Sequence, residues 1–154
     1  MRLILLAAIL AGGLMTSACT TVNPPVPAQS AEQATRAFLG AFNSLDPERF
    51  DSFFAEDVTM FFPSGPFPKD RVQGKAAVTG AFARFFAMAK ERGTTRLSIE
   101  PLDLVVQNHG GFAVATFHLR GGNGNIGRRS ILLGLREGHW RIVHFHASAL
   151  EAGK

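Results

Sequence analysis

The feature that most limits what this chain can fold into is a change of hydrophobic period near residue 93. Before it, apolar residues recur every three to four positions; after it, they alternate in runs broken by glycine and asparagine. Ser30 and Gln33 form a capping box, and Ala34, Phe38, Ala41, Phe42 and Leu45 follow at helical spacing. Asp46 and Pro47 predict the start of a second helix carrying Phe50, Phe53 and Phe54, with Asp at the N-cap and Pro in the first turn. The stretch DVTMFFP, from Asp57 to Pro63, predicts a short strand, and PSGPFPKD a loop. Lys75 to Glu91 predicts a third helix with Val78, Phe82, Phe85, Phe86 and Ala89 as its buried stripe.

Three β-type runs come next, TTRLSIEPLDLVVQ, FAVATFHLR and RRSILLGLR, followed by HWRIVHFHAS from His139 to Ser148. Between them NHGG, GGNGN and EGH supply residues that tolerate positive φ, so the runs predict an antiparallel meander. Helices first and strands after imply an α+β layered domain, with three helices packed on a curved antiparallel sheet. No internal repeat is present.

The chain begins MRLILLAAILAGGLMTSAC, with Arg2 ahead of an uncharged run from Leu3 to Leu14 and then Thr16, Ser17 and Ala18. This predicts a secretory signal over residues 1–18 and not a membrane span, for which the run is too short. Cys19 is the only cysteine, so it has no intrachain disulfide partner. Residues 19–29, rich in proline and small polar residues, read as a tether, and 30–150 as one domain. The signal resembles that of bacterial lipoproteins, although Thr16 stands where that family has Leu. The resemblance implies cleavage before Cys19 and a diacylglyceryl group on its sulfur. It implies a protein of the bacterial cell envelope that faces the periplasm, on the outer membrane in preference to the inner, touching membrane through the lipid alone. Ordinary cleavage after Ala18 would instead leave a soluble periplasmic protein.

The net charge of +4 is scattered along the chain and not gathered into a basic patch, and with no Tyr and one Trp for base stacking nucleic acid is not an expected partner. GGNGN lacks the Lys and Ser/Thr of a phosphate-binding loop, and no cofactor is expected.

This order of elements, with FFAEDVTMFFP in the middle and HWRIVHFHAS at the end, resembles the nuclear transport factor 2-like superfamily. The nearest likenesses are SnoaL-like domains and the association domain of calcium/calmodulin-dependent protein kinase II. The latter ends in a similar pattern, matched here by Trp140, Val143 to His146, and Ser148. The resemblance implies a cone-shaped, cystatin-like roll and a homodimer formed through the outer face of the sheet. It does not specify an activity, because the superfamily holds isomerases, cyclases, dehydratases and purely oligomerising domains. Ketosteroid isomerase works with an Asp base and an oxyanion hole of Tyr and a protonated Asp. Matching its ADD stretch to Ala55-Glu56-Asp57 puts Phe62 at the base and Phe38 at the tyrosine, with the second acid near Ile131 or Leu132. None of these side chains transfers a proton.

Strict alternation sends Trp140, Ile142, His144, His146 and Ser148 to one face of the last strand and Arg141, Val143, Phe145 and Ala147 to the other. The second set matches Ala113, Ala115, Phe117 and Leu119 as an apolar surface for the helices. His118, Trp140, His144 and His146 are then expected on the outer face, at a subunit interface. A metal site of His118, His144 and His146, or catalytic use of these rings, stays open at this point. A pocket beneath the helices is expected to be walled by Phe38, Met60, Phe62, Phe117 and Phe145, with Phe82 or Phe85 from the third helix. Plain core packing is the default role of each ring. Arg129 and Arg141 are expected at its rim, where two guanidinium groups would hold a carboxylate; snorkelling to solvent is their ordinary alternative. Asp103 shares the alternation of Leu97, Ile99 and Val105, so it reads as a half-buried acid and a candidate for proton transfer, with an edge or interface role as its ordinary alternative; no Ser-His-Asp or Cys-His set is visible. The expected function is an envelope-anchored domain that binds a small apolar or amphipathic molecule or self-associates. The alternative is an isomerase- or cyclase-type enzyme performing acid–base chemistry on a small hydrophobic carbonyl compound.

Overall fold

The Ser30 hydroxyl accepts from the Gln33 N–H at 3.1 Å, and the Ser30 N–H donates to Gln33 Oε1 at 2.8 Å, so the capping box closes and starts helix α1, Ala31–Asn43. This is a computed structural model that describes residues 29–63, 65–120 and 126–149. The signal, Cys19, nearly all of the tether and the expected GGNGN turn lie outside the described residues. Asp46 caps α2, Pro47–Asp51, by accepting from the Glu48 and Arg49 N–H groups. That helix ends earlier than its phenylalanines suggest: Phe53 lies beyond it, and Phe54 opens strand β1, Phe54–Phe61. A two-residue strand β2, Val72–Gln73, folds back on β1, and α3 spans Lys75–Glu91 as its periodicity predicts. β3 is Pro101–His109, β4 Phe112–Arg120, β5 Ile126–Arg136 and β6 His139–Ala149.

The six strands run in the order β2-β1-β6-β5-β4-β3. The last four form the expected antiparallel meander, but β1 lies parallel to β6, so the sheet is mixed and not wholly antiparallel. Three helices cover one face of this open sheet, which confirms the α+β class. Glu137 and Gly138, at φ +51° and +79°, make the tight turn between β5 and β6. The run expected to extend β3 backwards to Thr94 is not a strand, because β4 reaches only far enough to pair from Pro101 onward. Residues 97–99 instead hang from the end of α1. The Asn43 side chain donates to the Ile99 carbonyl and accepts from the Ile99 N–H, both at 2.9 Å, and the Leu97 N–H donates to the Asn43 carbonyl.

Rings hold the helices to the sheet. Phe50 is buried at the centre of the cluster, with ring centroids of Phe38, Phe42, Phe54, Phe82 and Phe86 all 4.8–5.7 Å away. Most of these pairs are tilted or edge-on, which aligns each positive ring edge with a neighbouring π face. On the sheet, Ala113, Ala115 and Phe117 of β4 pair across to Leu133, Ile131 and Arg129 of β5, and the first five of these are buried.

The expected sidedness of β6 is half right. Leu132 pairs with His144 but Leu133 pairs with Ile142, which leaves Val143 as the extra residue of a β-bulge. Below the bulge Trp140 and Ile142 join the core; above it Phe145 and Ala147 do. Trp140 is therefore a core residue, 5% exposed, and not part of an outer interface. Gly134 makes room for the bulge, since a Cβ there would stand 3.1 Å from Val143 Cγ1. His144 and His146 do face away from the helices, His144 beside Thr59 of β1 and His146 beside Phe61.

Candidate functional site

Between α1, α3 and the sheet, the helices fail to close completely over the strands, and a cavity of about 210 Å³ remains. Phe38, Leu39 and Phe42 of α1 form one wall and Phe82 and Phe85 of α3 another, while Met60 and Phe145 come from the parallel pair β1 and β6. Phe62, Pro63 and Phe67, beyond the end of β1, form a further wall in which the rings of Phe62 and Phe67 stack at 4.7 Å. Leu97 and Ile99 close the far side, held there by Asn43. Every one of these side chains is apolar.

Arg129 is the single charged residue on this wall, placed by β5 between Phe117 and Ala147. Its Nη1 donates to the carbonyls of Arg128 at 2.7 Å and Ser148 at 3.1 Å. No carboxylate pairs with it among the described residues. Burial alone pushes its pKa below the ordinary arginine value, since a half-buried cation loses hydration without gaining an anion. It stays protonated nonetheless.

Of the expected pocket residues, the structure brings together Phe38, Met60, Phe62, Phe145 and Arg129, with both Phe82 and Phe85. Phe117 is buried in the core and does not line the cavity. Arg141 is elsewhere: the Val143 bulge reverses its side relative to Phe145, and it lines a separate polar depression with Glu56, Asp57, Lys75 and Arg136. Nearby, Lys75 Nζ bonds Asp51 at 2.9 Å and Glu56 at 3.3 Å. The Asp51 bond outweighs burial and raises the lysine's pKa. Asp103 stands at a bulge of edge strand β3 with φ +55° and a side chain 85% exposed, 3.6 Å from His118 Nδ1, so it is not the half-buried acid its alternation suggested. Sequence reasoning did not assign Leu39, Phe42, Pro63, Phe67, Leu97, Ile99, Leu119 or Ala147 to the walls; Leu97 and Ile99 could have been found only by seeing Asn43 as a backbone mimic.

On the outer face, His144 Nδ1 lies 2.7 Å from Thr59 Oγ1, and desolvation followed by the charge of His146 lowers the His144 pKa. His118 pairs with Arg128 and is separated from His144 by the width of β5. Among the described residues no three His, Cys, Asp or Glu side chains are close enough to hold a metal ion.

The described fold resembles several solved structures. An NTF2-like protein of unknown function from Pseudomonas putida superposes with a TM-score of 0.68 at 20% identity, over 80% of this chain and 86% of that one. A protein from Caulobacter vibrioides with a cystatin-like fold gives 0.62 at 20% identity, over 78% and 87%. A protein from Thiobacillus denitrificans, provisionally described as a calcium/calmodulin-dependent protein kinase type II association domain, gives 0.61 at 22%, over 84% and 100%. Identities this low establish a shared fold. Among curated proteins none matches the sequence. The sequence profile of the SnoaL-like domain matches residues 31–151, from the first residue of α1 past the end of β6, and the chain belongs to that family.

Proposed function

We propose that this domain binds a small apolar or amphipathic molecule in the phenylalanine cavity and has no proton-transfer machinery there. The carrying observation is the composition of the wall: aromatic and aliphatic residues with one guanidinium, and no carboxylate, imidazole or phenol among its lining residues. An isomerase- or cyclase-like reaction is less well supported, because Phe62 and Phe38 stand in the cavity where the resemblance would place a base and an oxyanion donor. A thermal-shift screen of small hydrophobic compounds tests the reading. Ligands are expected to raise Tm, and Met60→Trp, which fills the cavity, is expected to abolish the shift; a screen without a single stabilising compound overturns it.

A second reading, self-association through the open face of the sheet, is favoured by a separate observation. Among the described residues the three exposed large hydrophobics, Phe61, Val105 and Phe112, all belong to that face, at 39%, 54% and 44% exposure. The rings of His144 and His146 lie beside Phe61. A concentration-dependent dimer in sedimentation, returned to monomer by Phe61→Glu with Val105→Glu, is the expected result, and a monomer at all concentrations rejects it. We place the protein in the periplasm, anchored through a lipid on Cys19. Fatty-acid labelling lost in Cys19→Ser would support this, and an unlabelled wild type would reject it.

A further inference from the structure

The cavity wall has one feature that core packing does not require. Arg129 carries the only charge among its lining residues, and its guanidinium is fixed rather than swinging into solvent. One nitrogen, Nη1, takes both backbone carbonyls, those of Arg128 and Ser148. Nε and Nη2 have no acceptor among the described residues. The fork geometry of a guanidinium suits a carboxylate at such an edge, and pairing would relieve the cost of holding a half-buried cation beside the phenylalanines.

Gly127 makes this placement possible. It lies two residues before Arg129 on β5, on the same side of the strand, and the guanidinium folds back over it. A Cβ at Gly127 would stand 2.6 Å from Arg129 Nη1, 3.1 Å from Nη2 and 3.0 Å from the Ser148 carbonyl oxygen. The carbonyl belongs to the β6 backbone and cannot yield, so any side chain at 127 must displace the guanidinium.

We infer that the cavity takes a small hydrophobic monocarboxylate, its anionic end on Arg129 and its apolar part among the phenylalanines, with Gly127 as the residue that positions the guanidinium. This rests on the small-molecule reading above and narrows it to a chemical class. Size limits the class further. A cavity of about 150 Å³ lined by Leu, Ile and Phe holds benzene; the 210 Å³ here suits one ring, or a chain of similar bulk, with a short acid arm. A phosphate monoester is a poorer fit, because its second negative charge would meet only phenyl rings. With one cation on the wall, a dicarboxylate would leave one charge unpaired.

The test compares 3-phenylpropanoate with its neutral counterpart 3-phenylpropanamide, by calorimetric titration of the full-length protein. In the wild type the acid is expected to bind at least tenfold more tightly than the amide. Arg129→Met is expected to erase that preference while changing amide affinity less than threefold. Gly127→Ala keeps the charge but moves it, and is expected to weaken the acid by a similar factor. Arg129→Met leaves the backbone untouched and keeps the test decisive should Gly127→Ala fail to fold. Amide binding with no advantage for the acid overturns the monocarboxylate inference and leaves the cavity reading standing. An acid preference unaffected by Gly127→Ala in a folded protein removes the positioning role of Gly127. Binding of neither probe, nor of shorter and longer homologues of each, overturns both readings.

Discussion

Strand β4 presents Ala113, Ala115 and Phe117 to the helices and Val114, Thr116 and His118 to the open side, and the contrast extends across the whole sheet. On the covered face, small residues alternate with large ones so that the phenylalanines of the helices can reach the strands. On the open face, apolar side chains such as Val114 and Leu132, which pair across β4 and β5, are mixed with histidine, threonine, serine and arginine. The two faces have different energetic roles. Removing an atom from the first leaves a void in a packed interior, whereas removing one from the second changes a surface that water or a partner can refill.

The sharpest way to break that comparison is Phe50→Ala against Phe61→Ala. Phe50 touches five other rings and is fully buried, so its loss is expected to destabilise the domain by about 3–5 kcal/mol. Phe61→Ala, on the open side, is expected to cost less than about 0.5 kcal/mol in the monomer. Urea denaturation of both variants at low protein concentration checks the pair. Similar losses would mean that the faces are not energetically distinct.

How much of this was legible in the sequence depended on whether a residue's neighbours were local. The capping box at Ser30 and the Asp46 cap depend on contacts within one turn of helix and both form as read, while the α3 stripe, a matter of local periodicity, forms with Val78, Phe82 and Phe86 buried and Phe85 and Ala89 partly so. The faces of β4 were equally readable, because nothing interrupts its alternation. β6 was misread below Val143, since a bulge depends on the partner strand; the only local hint was Gly134, a glycine inside a strand. That single extra residue moved Trp140 into the core and took Arg141 away from the cavity. The parallel contact between β1 and β6 joins residues 85 positions apart, such as Thr59 and His144, and leaves no periodic trace. Of the candidate site, the phenylalanines were visible as core-forming residues, but the cavity itself is a failure of closure between elements and has no sequence signature.

A second way to sharpen the contrast is to loosen the inner side without touching an apolar group. Asn43 is the clip that holds Leu97 and Ile99 against the cavity, through paired hydrogen bonds to the Ile99 backbone. Asn43→Ala leaves a part-buried N–H and C=O without those partners, and is expected to cost about 1–3 kcal/mol. It should also speed amide exchange across residues 97–99 while leaving β4 and β5 protected. Uniform loss of protection would show that the clip supports the whole domain and not one cavity wall.

The smallest effect belongs to the open side, and it concerns proton binding. His144 sits between β1 and β5, facing Thr59 and flanked by His146 and Phe61, with no carboxylate paired to it among the described residues. Desolvation, and then the charge of His146, holds its pKa below the ordinary value of 6.5. The neutral ring accepts from the Thr59 hydroxyl at Nδ1 when its own proton is on Nε2. Because the folded protein resists protonating this ring, the unfolded chain takes up the proton first as pH falls. The His144 contribution is therefore fully present above about pH 6.5 and declines as pH drops towards the folded pKa. His144→Gln should reduce the fall in Tm between pH 7.5 and pH 5.5, with little change at pH 7.5. If the wild type gained stability on acidification relative to the variant, the imidazole would be gaining a partner on protonation, and a carboxylate not paired with His144 among the described residues would have to reach it.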